Sequence, residues 1–510
     1  MRLPHRWTRR EFVVTSLAWL AGLAYKTSAE ALEETRSDAD AQLLDLTATD
    51  AVVLLRSGDL SAEHYARALL SQCERQRQLN AFIFLDKARV MDDAVAADKR
   101  RKSGAELGPL HGLPVPIKDN IDTADAPTSA GTPALRTHRP KANAPLAQSL
   151  FSAGAILLGK TNMHELAYGI TSNNAGFGPV RNPYNNLLIP GGSSGGTAAA
   201  IAARMCAAGL GTDTGGSVRI PAALCGIVGL RPTVGRYPGE GIVPISHTRD
   251  TAGPLARSIR DLVLFDSVIT ADPKPVRAMA LRGTRIGVPR GFFYDNLDAE
   301  LAPVVERALA KLRDIGCVLV EADVPDVEKL AAATTAPISF HESLADLSQY
   351  LRASGSELTV KDVVAQIASP DVKAIYEDFI VGPKAPTLEA YQTAMEKGRP
   401  ALQAAYRNYF RDQNVAAIVF PTTPLPARPI GQDKEVELNG KKVSTLFTYL
   451  HNARPMTTAG IPGVSLPIGI TAYGLPVGLE LDAPSGEDRR LLSLALAIED
   501  VFGRMRAPPI

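Results

Sequence analysis

The sequence is short of the features that mark most binding and scaffold classes. Its 510 residues include only four cysteines, Cys73, Cys206, Cys225 and Cys317, far apart and without a C-x-x-C pair. That spacing excludes a zinc site or a dense disulfide framework and leaves small buried hydrophobes. No charge of one sign dominates, since 55 basic against 54 acidic residues leave a net charge of +1. Scattered, balanced charge is a solvated surface and offers no footprint for nucleic acid. Internal repeats and low-complexity segments are also missing. What is present is apolar residue, 45% of the chain, ample for a sizeable core.

The N-terminus differs from the rest. Arg2, His5, Arg6, Arg9 and Arg10 precede an apolar stretch from Phe12 to Tyr25, and small residues follow from Thr27 to Ala31. Basic, apolar, then small is the order of an export signal, and this apolar part is too short to cross a bilayer. Thr8-Arg9-Arg10-Glu11-Phe12-Val13-Val14 resembles a twin-arginine signal, which exports folded proteins. Residues 1–31 are therefore expected to direct the chain out of the cytoplasm, to the periplasm or an equivalent space. The membrane is then met only during export. Cleavage is expected after Ala29 or Ala31.

No linker divides residues 32–510, so one domain is expected. Two helical patterns lie between Leu46 and Arg75, the second opened by Ser61 as N-cap. Ala81–Leu85 reads as a short buried strand. Between Gly112 and Gly235 short apolar runs (Val115–Ile117, Ala155–Leu158, Ile227–Leu230) alternate with Gly/Pro/Ser loops, and Thr197–Ala208 reads as a helix. Arg285–Val288, Ala416–Phe420 and Gly463–Ile470 are strand-like. Leu301–Ile315, much of 327–410 and Arg489–Phe502 are helical. Alternation of this kind predicts a layered α/β fold.

Two glycine-serine clusters stand out: Pro190-Gly191-Gly192-Ser193-Ser194-Gly195-Gly196 and Gly211-Thr212-Asp213-Thr214-Gly215-Gly216-Ser217. Glycine lets main-chain N–H groups approach a ligand closely. Neither cluster carries the Gly-Lys-Ser/Thr of a P-loop, and Gly209-x-Gly211-x-x-x-Gly215 misses the dinucleotide pattern by one residue. Gly192-Ser193-Ser194-Gly195-Gly196 does satisfy G-x-S-x-G, the nucleophile elbow of α/β-hydrolases with Ser194 as nucleophile. That reading requires a downstream histidine, and His247, His341 and His451 are available. A third motif, Gly112-Leu113-Pro114-Val115-Pro116-Ile117-Lys118-Asp119-Asn120, ends an apolar strand in a lysine. Burial there disfavours the ammonium and makes Lys118 a possible base.

Together the three motifs, with separations of 75 and 24 residues between Lys118, Ser193 and Ser217, resemble the signature region of the amidase-signature family. Gly159–Met163, Gly178–Pro183, Gly460–Pro467 and Gly474–Gly478 extend the likeness. The resemblance implies a single three-layer α/β/α domain around a large mixed sheet. Ser217 is then the nucleophile, Ser193, carried on a cis peptide, the bridging group, and Lys118 the base. The backbone N–H groups of Thr214, Gly215, Gly216 and Ser217 become the expected oxyanion hole. Neither a metal nor an organic cofactor is required. Thr171, Ser172 and Ser194 are expected near the substrate, while Asp213 with Arg219 should brace the loop. Asp119 should bond backbone groups and His164 should be structural.

The segment Pro244–Pro254 is similar to bacterial indoleacetamide and mandelamide hydrolases, which implies a small aryl- or alkylacetamide as substrate. The glutamyl-tRNA amidotransferase A subunit, another branch of the family, usually differs there. It also works in the cytoplasm with partner proteins and a tRNA. The sequence leaves homo-oligomerisation open.

Overall fold

A computed structural model describes residues 42–509 of the chain. The expected export signal, residues 1–31, lies outside the described residues. Of the unit that ends at Asp45, only a helical turn over 42–44 and the link after it are described. Residues 46–510 form the second unit, which carries everything that follows.

Its frame is an 11-stranded mixed sheet. The strands are β1 (Phe82–Phe84), β2 (Pro114–Lys118), β3 (Ile156–Thr161), β4 (Ala208–Asp213), β5 (Val228–Arg231) and β6 (Thr251–Ala256), followed by β7 (Arg285–Gly287), β8 (Val318–Val320), β9 (Ala417–Pro421), β10 (Gly463–Ile470) and β11 (Pro476–Asp482). Their order across the sheet is β1-β3-β2-β4-β6-β5-β10-β11-β9-β7-β8. β3, β2 and β4 run parallel, β4, β6, β5, β10, β11 and β9 are mutually antiparallel, and β9, β7 and β8 are parallel again. The central strands β2, β4, β5, β6, β9 and β11 are buried along their whole length, as strands covered on both faces must be.

Helices cover both faces. The chain enters through α1 (Ala48–Ser57) and α2 (Ala62–Arg75), and the Ser61 hydroxyl caps α2 by accepting from the His64 N–H at 3.1 Å. One face carries α3 (Gly195–Ala202) and α4 (Arg219–Leu224); α5 (Ile259–Ile269) packs on β5 and β6. Outside the sheet lie α6 (Ala302–Asp314), the long α7 (Val327–Ala353) and α8 (Arg399–Asp412). The C-terminal α9 (Asp488–Phe502) packs on β10 and α5. All four cysteines are buried and free, consistent with small hydrophobes.

The expected strands and helices fall within a few residues of the observed ones, although β1, expected to be buried, is only half-buried; a second departure bears on the site. The expected helix Thr197–Ala208 stops at Ala202, and Ala208–Asp213 is instead the buried strand β4. Alanine favours helix locally, but a strand between β2 and β6 finds hydrogen-bond partners on both edges. This departure matters for function, because β4 delivers Thr212 and Asp213 to the site.

Candidate active site

Lys118 closes β2, an apolar strand bounded by two prolines, and its side chain is wholly buried. Its Nζ donates to Ser193 Oγ at 2.8 Å and to Thr212 Oγ1 at 2.8 Å. Asn120 Nδ2 donates to the same Thr212 hydroxyl at 3.1 Å and so orients it. Among the described residues no carboxylate forms an ion pair with the ammonium. Burial depresses the lysine pKa to about 7, while the more distant charges of Asp213 and Asp250 only partly offset that effect.

Ser193 follows a cis peptide bond from Gly192 and is fully buried. Its carbonyl accepts the His164 N–H at 3.2 Å. Ser217 lies just before α4 and is 6% exposed, against 0% for Lys118 and Ser193, so it is the member of the trio that solvent or substrate can reach. Its carbonyl accepts the Ser194 N–H at 3.2 Å, which pins the two glycine-serine segments together.

The turn between β4 and α4 is held by Asp213. Its Oδ1 accepts the Gly216 N–H at 2.8 Å and its Oδ2 the Val218 N–H at 3.1 Å. Burial alone would raise this carboxyl, but the Arg219 and Arg231 guanidiniums outweigh it and hold Asp213 well below the usual carboxylate range. The brace expected between Asp213 and Arg219 is therefore present. Arg231 joins it, donating from Nη1 to both Asp213 Oδ1 and the Asp213 carbonyl.

This geometry narrows the expected oxyanion hole. The Gly216 N–H is occupied by Asp213, whereas those of Thr214, Gly215 and Ser217 have no acceptor among the described residues. Three free N–H groups beside the Ser217 hydroxyl could receive developing negative charge, the role that oxyanion holes play. Thr214 is tied from the other side by Asp250, which accepts its hydroxyl at 2.5 Å and the amides of Ile245 and Ser246 at 2.7 and 2.9 Å.

The three side chains expected near the substrate are engaged by the scaffold. Thr171 donates to Asp433 Oδ1 at 2.6 Å. Ser172 Oγ donates to the Gly191 carbonyl and accepts the Gly195 N–H. Ser194 Oγ bridges the Thr212 carbonyl and amide at 3.2 and 3.3 Å. With its hydroxyl so committed, Ser194 is ill placed as a nucleophile, and no described imidazole bonds it. His247 pairs with Asp346, His341 stacks on Tyr391, and His451 faces the Phe292 carbonyl. The nucleophile-elbow reading thus lacks its base.

Asp119 accepts the Ser129 and Gly131 amides and keeps its distance from Lys118. The cation nearest to it is Lys160, at 3.9 Å. His164 is buried, with Nδ1 accepting the Ser172 N–H at 3.2 Å. Thr212, Asn120, Arg231 and Asp250 are the functional neighbours that sequence reasoning missed. Thr212 and Asn120 sat inside quoted motifs and Asp250 inside the segment Pro244–Pro254, whereas Arg231 is brought in by β5. A groove of about 890 Å³ elsewhere, lined by Phe340, His341, Leu344, Val360, Ile380 and Pro386, contains none of the trio.

The comparisons agree with this geometry. A family model for Amidase matches residues 65–492. The chain is 45% identical over 456 residues to an indoleacetamide hydrolase of Agrobacterium vitis, covering 89% of this chain and 97% of that protein. It is 39% identical over 484 residues to a mandelamide hydrolase of Pseudomonas putida, covering 91% and 93%. Among solved structures, the peptide amidase of Stenotrophomonas maltophilia superposes with a TM-score of 0.76 at 30% identity, covering 91% of this chain and 98% of that one. A buried lysine on a serine hydroxyl, a second serine among free amides, and matches along most of the chain lead to one conclusion: the chain belongs to the amidase family.

Proposed function

We propose that this amidase cleaves the carboxamide of a small aryl- or alkylacetamide through an acyl-enzyme on Ser217, with Ser193 and Lys118 as the proton relay. The observation that carries the reading is the Lys118 amine. It is fully buried, clear of any carboxylate and 2.8 Å from Ser193 Oγ, with its pKa brought to about 7.

Neutral Lys118 accepts the Ser193 proton while Ser193 accepts that of Ser217. Ser217 Oγ then attacks the amide carbonyl, and the N–H groups of Thr214, Gly215 and Ser217 receive the oxyanion. The relay returns the proton to the departing nitrogen, which leaves as ammonia or an amine. Water, deprotonated by the same relay, releases the acid. Thr171, Ser172 and Ser194 serve this chemistry by fixing the loops that carry Ser193 and Ser217. The acetamide class is supported by what the Agrobacterium and Pseudomonas relatives are named for, and a neutral small-molecule partner suits the balanced charge of the chain.

Ammonia release from indole-3-acetamide, mandelamide, aliphatic amides, a peptide amide and glutamine tests the proposal directly. Release should be greatest from an arylacetamide and vanish in Ser217→Ala, while Ser194→Ala retains measurable turnover. Glutamine as the preferred substrate, or full activity in Ser217→Ala, would sink it. The twin-arginine segment supports an extracytoplasmic site of action. Replacing Arg9 and Arg10 by lysine should then leave the protein in the cytoplasmic fraction.

A further inference from the structure

Behind Ser217 lies a buried charge cluster that the hydrolysis above does not use. Glu480 and Asp482 are two residues apart on β11, so both project from the same face of the sheet, while Leu479 and Leu481 face the other way. Opposite Asp482 stands Gly463, where a Cβ would come within 2.5 Å of Asp482 Oδ1. Glycine at that position makes room for the carboxyl. Glu480 Oε1 accepts from Arg219 Nη1. The other edge of that guanidinium forks onto Asp213, Nε to Oδ2 and Nη2 to Oδ1, both at 3.0 Å. Asp213 in turn grips the Gly216 and Val218 amides, one on each side of Ser217.

We infer that Glu480 and Asp482 are positioning residues for the hydrolysis, locking the outer edge of Arg219 so that Arg219 and Asp213 hold the amides that bracket Ser217. The inference rests on Ser217 being the nucleophile.

The charge count shows how the pair works. Asp213, Glu480, Asp482, Arg219 and Arg231 are all 0% exposed, giving three carboxyls against two guanidiniums. Arg231 donates to Asp213 and to the Arg249 carbonyl, so among the described residues Arg219 is the guanidinium that hydrogen-bonds the pair, through Glu480. Glu480 Oε2 and both Asp482 oxygens receive no hydrogen bond, and the buried Tyr406 hydroxyl, facing them from α8, has no partner either. Two anions side by side in a dry interior repel, whereas one proton on Asp482 balances the cluster and provides a donor for Glu480. Burial, then the Glu480 charge, raise the Asp482 carboxyl well above the usual range, in agreement with that proton.

The test compares the wild type with Glu480→Ala, Glu480→Gln and Ser217→Ala. It follows sulfonylation of Ser217 by phenylmethylsulfonyl fluoride, in which Oγ displaces fluoride, by intact mass, and amide turnover in parallel. Glu480→Ala should slow sulfonylation and kcat roughly 10²-fold, the scale of a small misplacement of a reacting group, with KM within about threefold. Glu480→Gln still offers Arg219 Nη1 an acceptor and should recover most of the rate. If Glu480→Ala does not fold, Glu480→Asp, shorter by one methylene, takes its place. A wild-type rate of sulfonylation in Glu480→Ala or its substitute, or no recovery in Glu480→Gln, overturns the inference. A wild type that is not labelled at Ser217 overturns the nucleophile assignment itself. Asp482→Asn reads the proton separately. Folded Asp482 binds a proton that the unfolded chain releases above its ordinary carboxyl pKa, so wild-type stability falls as pH rises. The Tm advantage of Asp482→Asn should therefore grow from pH 5 to pH 8, and a constant difference overturns the shared proton.

Discussion

Lys118 shows how one residue's environment sets its chemistry. An ordinary lysine is charged at neutral pH and cannot take a proton. Here burial on β2 moves its pKa from 10.5 to about 7, and two hydroxyls, not a carboxylate, receive its hydrogens. The neighbouring acid is kept away because Asp119 is turned onto the Ser129 and Gly131 amides. An acidic contact would have restored the charge. Activity should rise with pH through about 7, with kcat/KM about tenfold greater at pH 8 than at pH 6 if Lys118 is the only titrating group in that range. A flat profile between those values would remove Lys118 as the base. The same shift leaves a mark on stability. Folding lowers this pKa, so between about 7 and 10.5 the unfolded chain binds more protons and stability rises with pH. Lys118→Met lacks this term, and urea titrations should show the wild type gaining on it across that window.

The turn joining β4 to α4 is the element on which the site depends. Gly216 has φ of +124°, and a Cβ there would stand 2.8 Å from Ala453 Cβ and from Ile220 Cδ1. Gly215 differs, since its Cβ would meet only Leu450 Cδ2, at 3.3 Å. Gly216→Ala should therefore cost about 1–3 kcal/mol of stability and at least 10²-fold in kcat, as strain displaces the free amides. Gly215→Ala should fold normally and act chiefly on KM, through Leu450. Equal effects of the two substitutions on thermal unfolding and kcat would contradict this account. The turn was legible as a glycine-serine motif. Its division of labour was not, because which amide Asp213 occupies depends on a fold in which Arg219 and Arg231 converge on that carboxylate.

At the scale of the molecule, the order of the sheet explains why one site draws on distant parts of the chain. β10 and β11 stand between the strands of the first half, β1–β6, and the later group β9, β7 and β8. Residues 463–482 thus bridge the middle of the sheet and bring Glu480 within reach of Arg219. A chain ending at residue 412 would lack β9, β10 and β11 and expose the edge of β5. It should give no cooperative unfolding transition by circular dichroism, whereas the full chain melts with its β4–α4 turn intact. A folded, cooperatively melting fragment would show that the first half is a domain in its own right.

The local chemistry of the trio proposed to cleave the amide was determined by the sequence: a lysine closing an apolar strand, and two serines in glycine-rich turns at family-like spacing. So were most strands and helices, because burial periodicity and caps are short-range signals. Only the tertiary structure decided that residues 208–213 form a strand, that Ser194 bonds Thr212, that Gly216 is not free to bind an oxyanion, and that Glu480 and Asp482 stand behind the nucleophile. Each of these depends on pairing between separate segments of the chain, on a side chain meeting another segment's backbone, or on one carboxylate shared by several donors. Such contacts leave no period and no motif in the chain, since the residues that make them meet only once the sheet has closed.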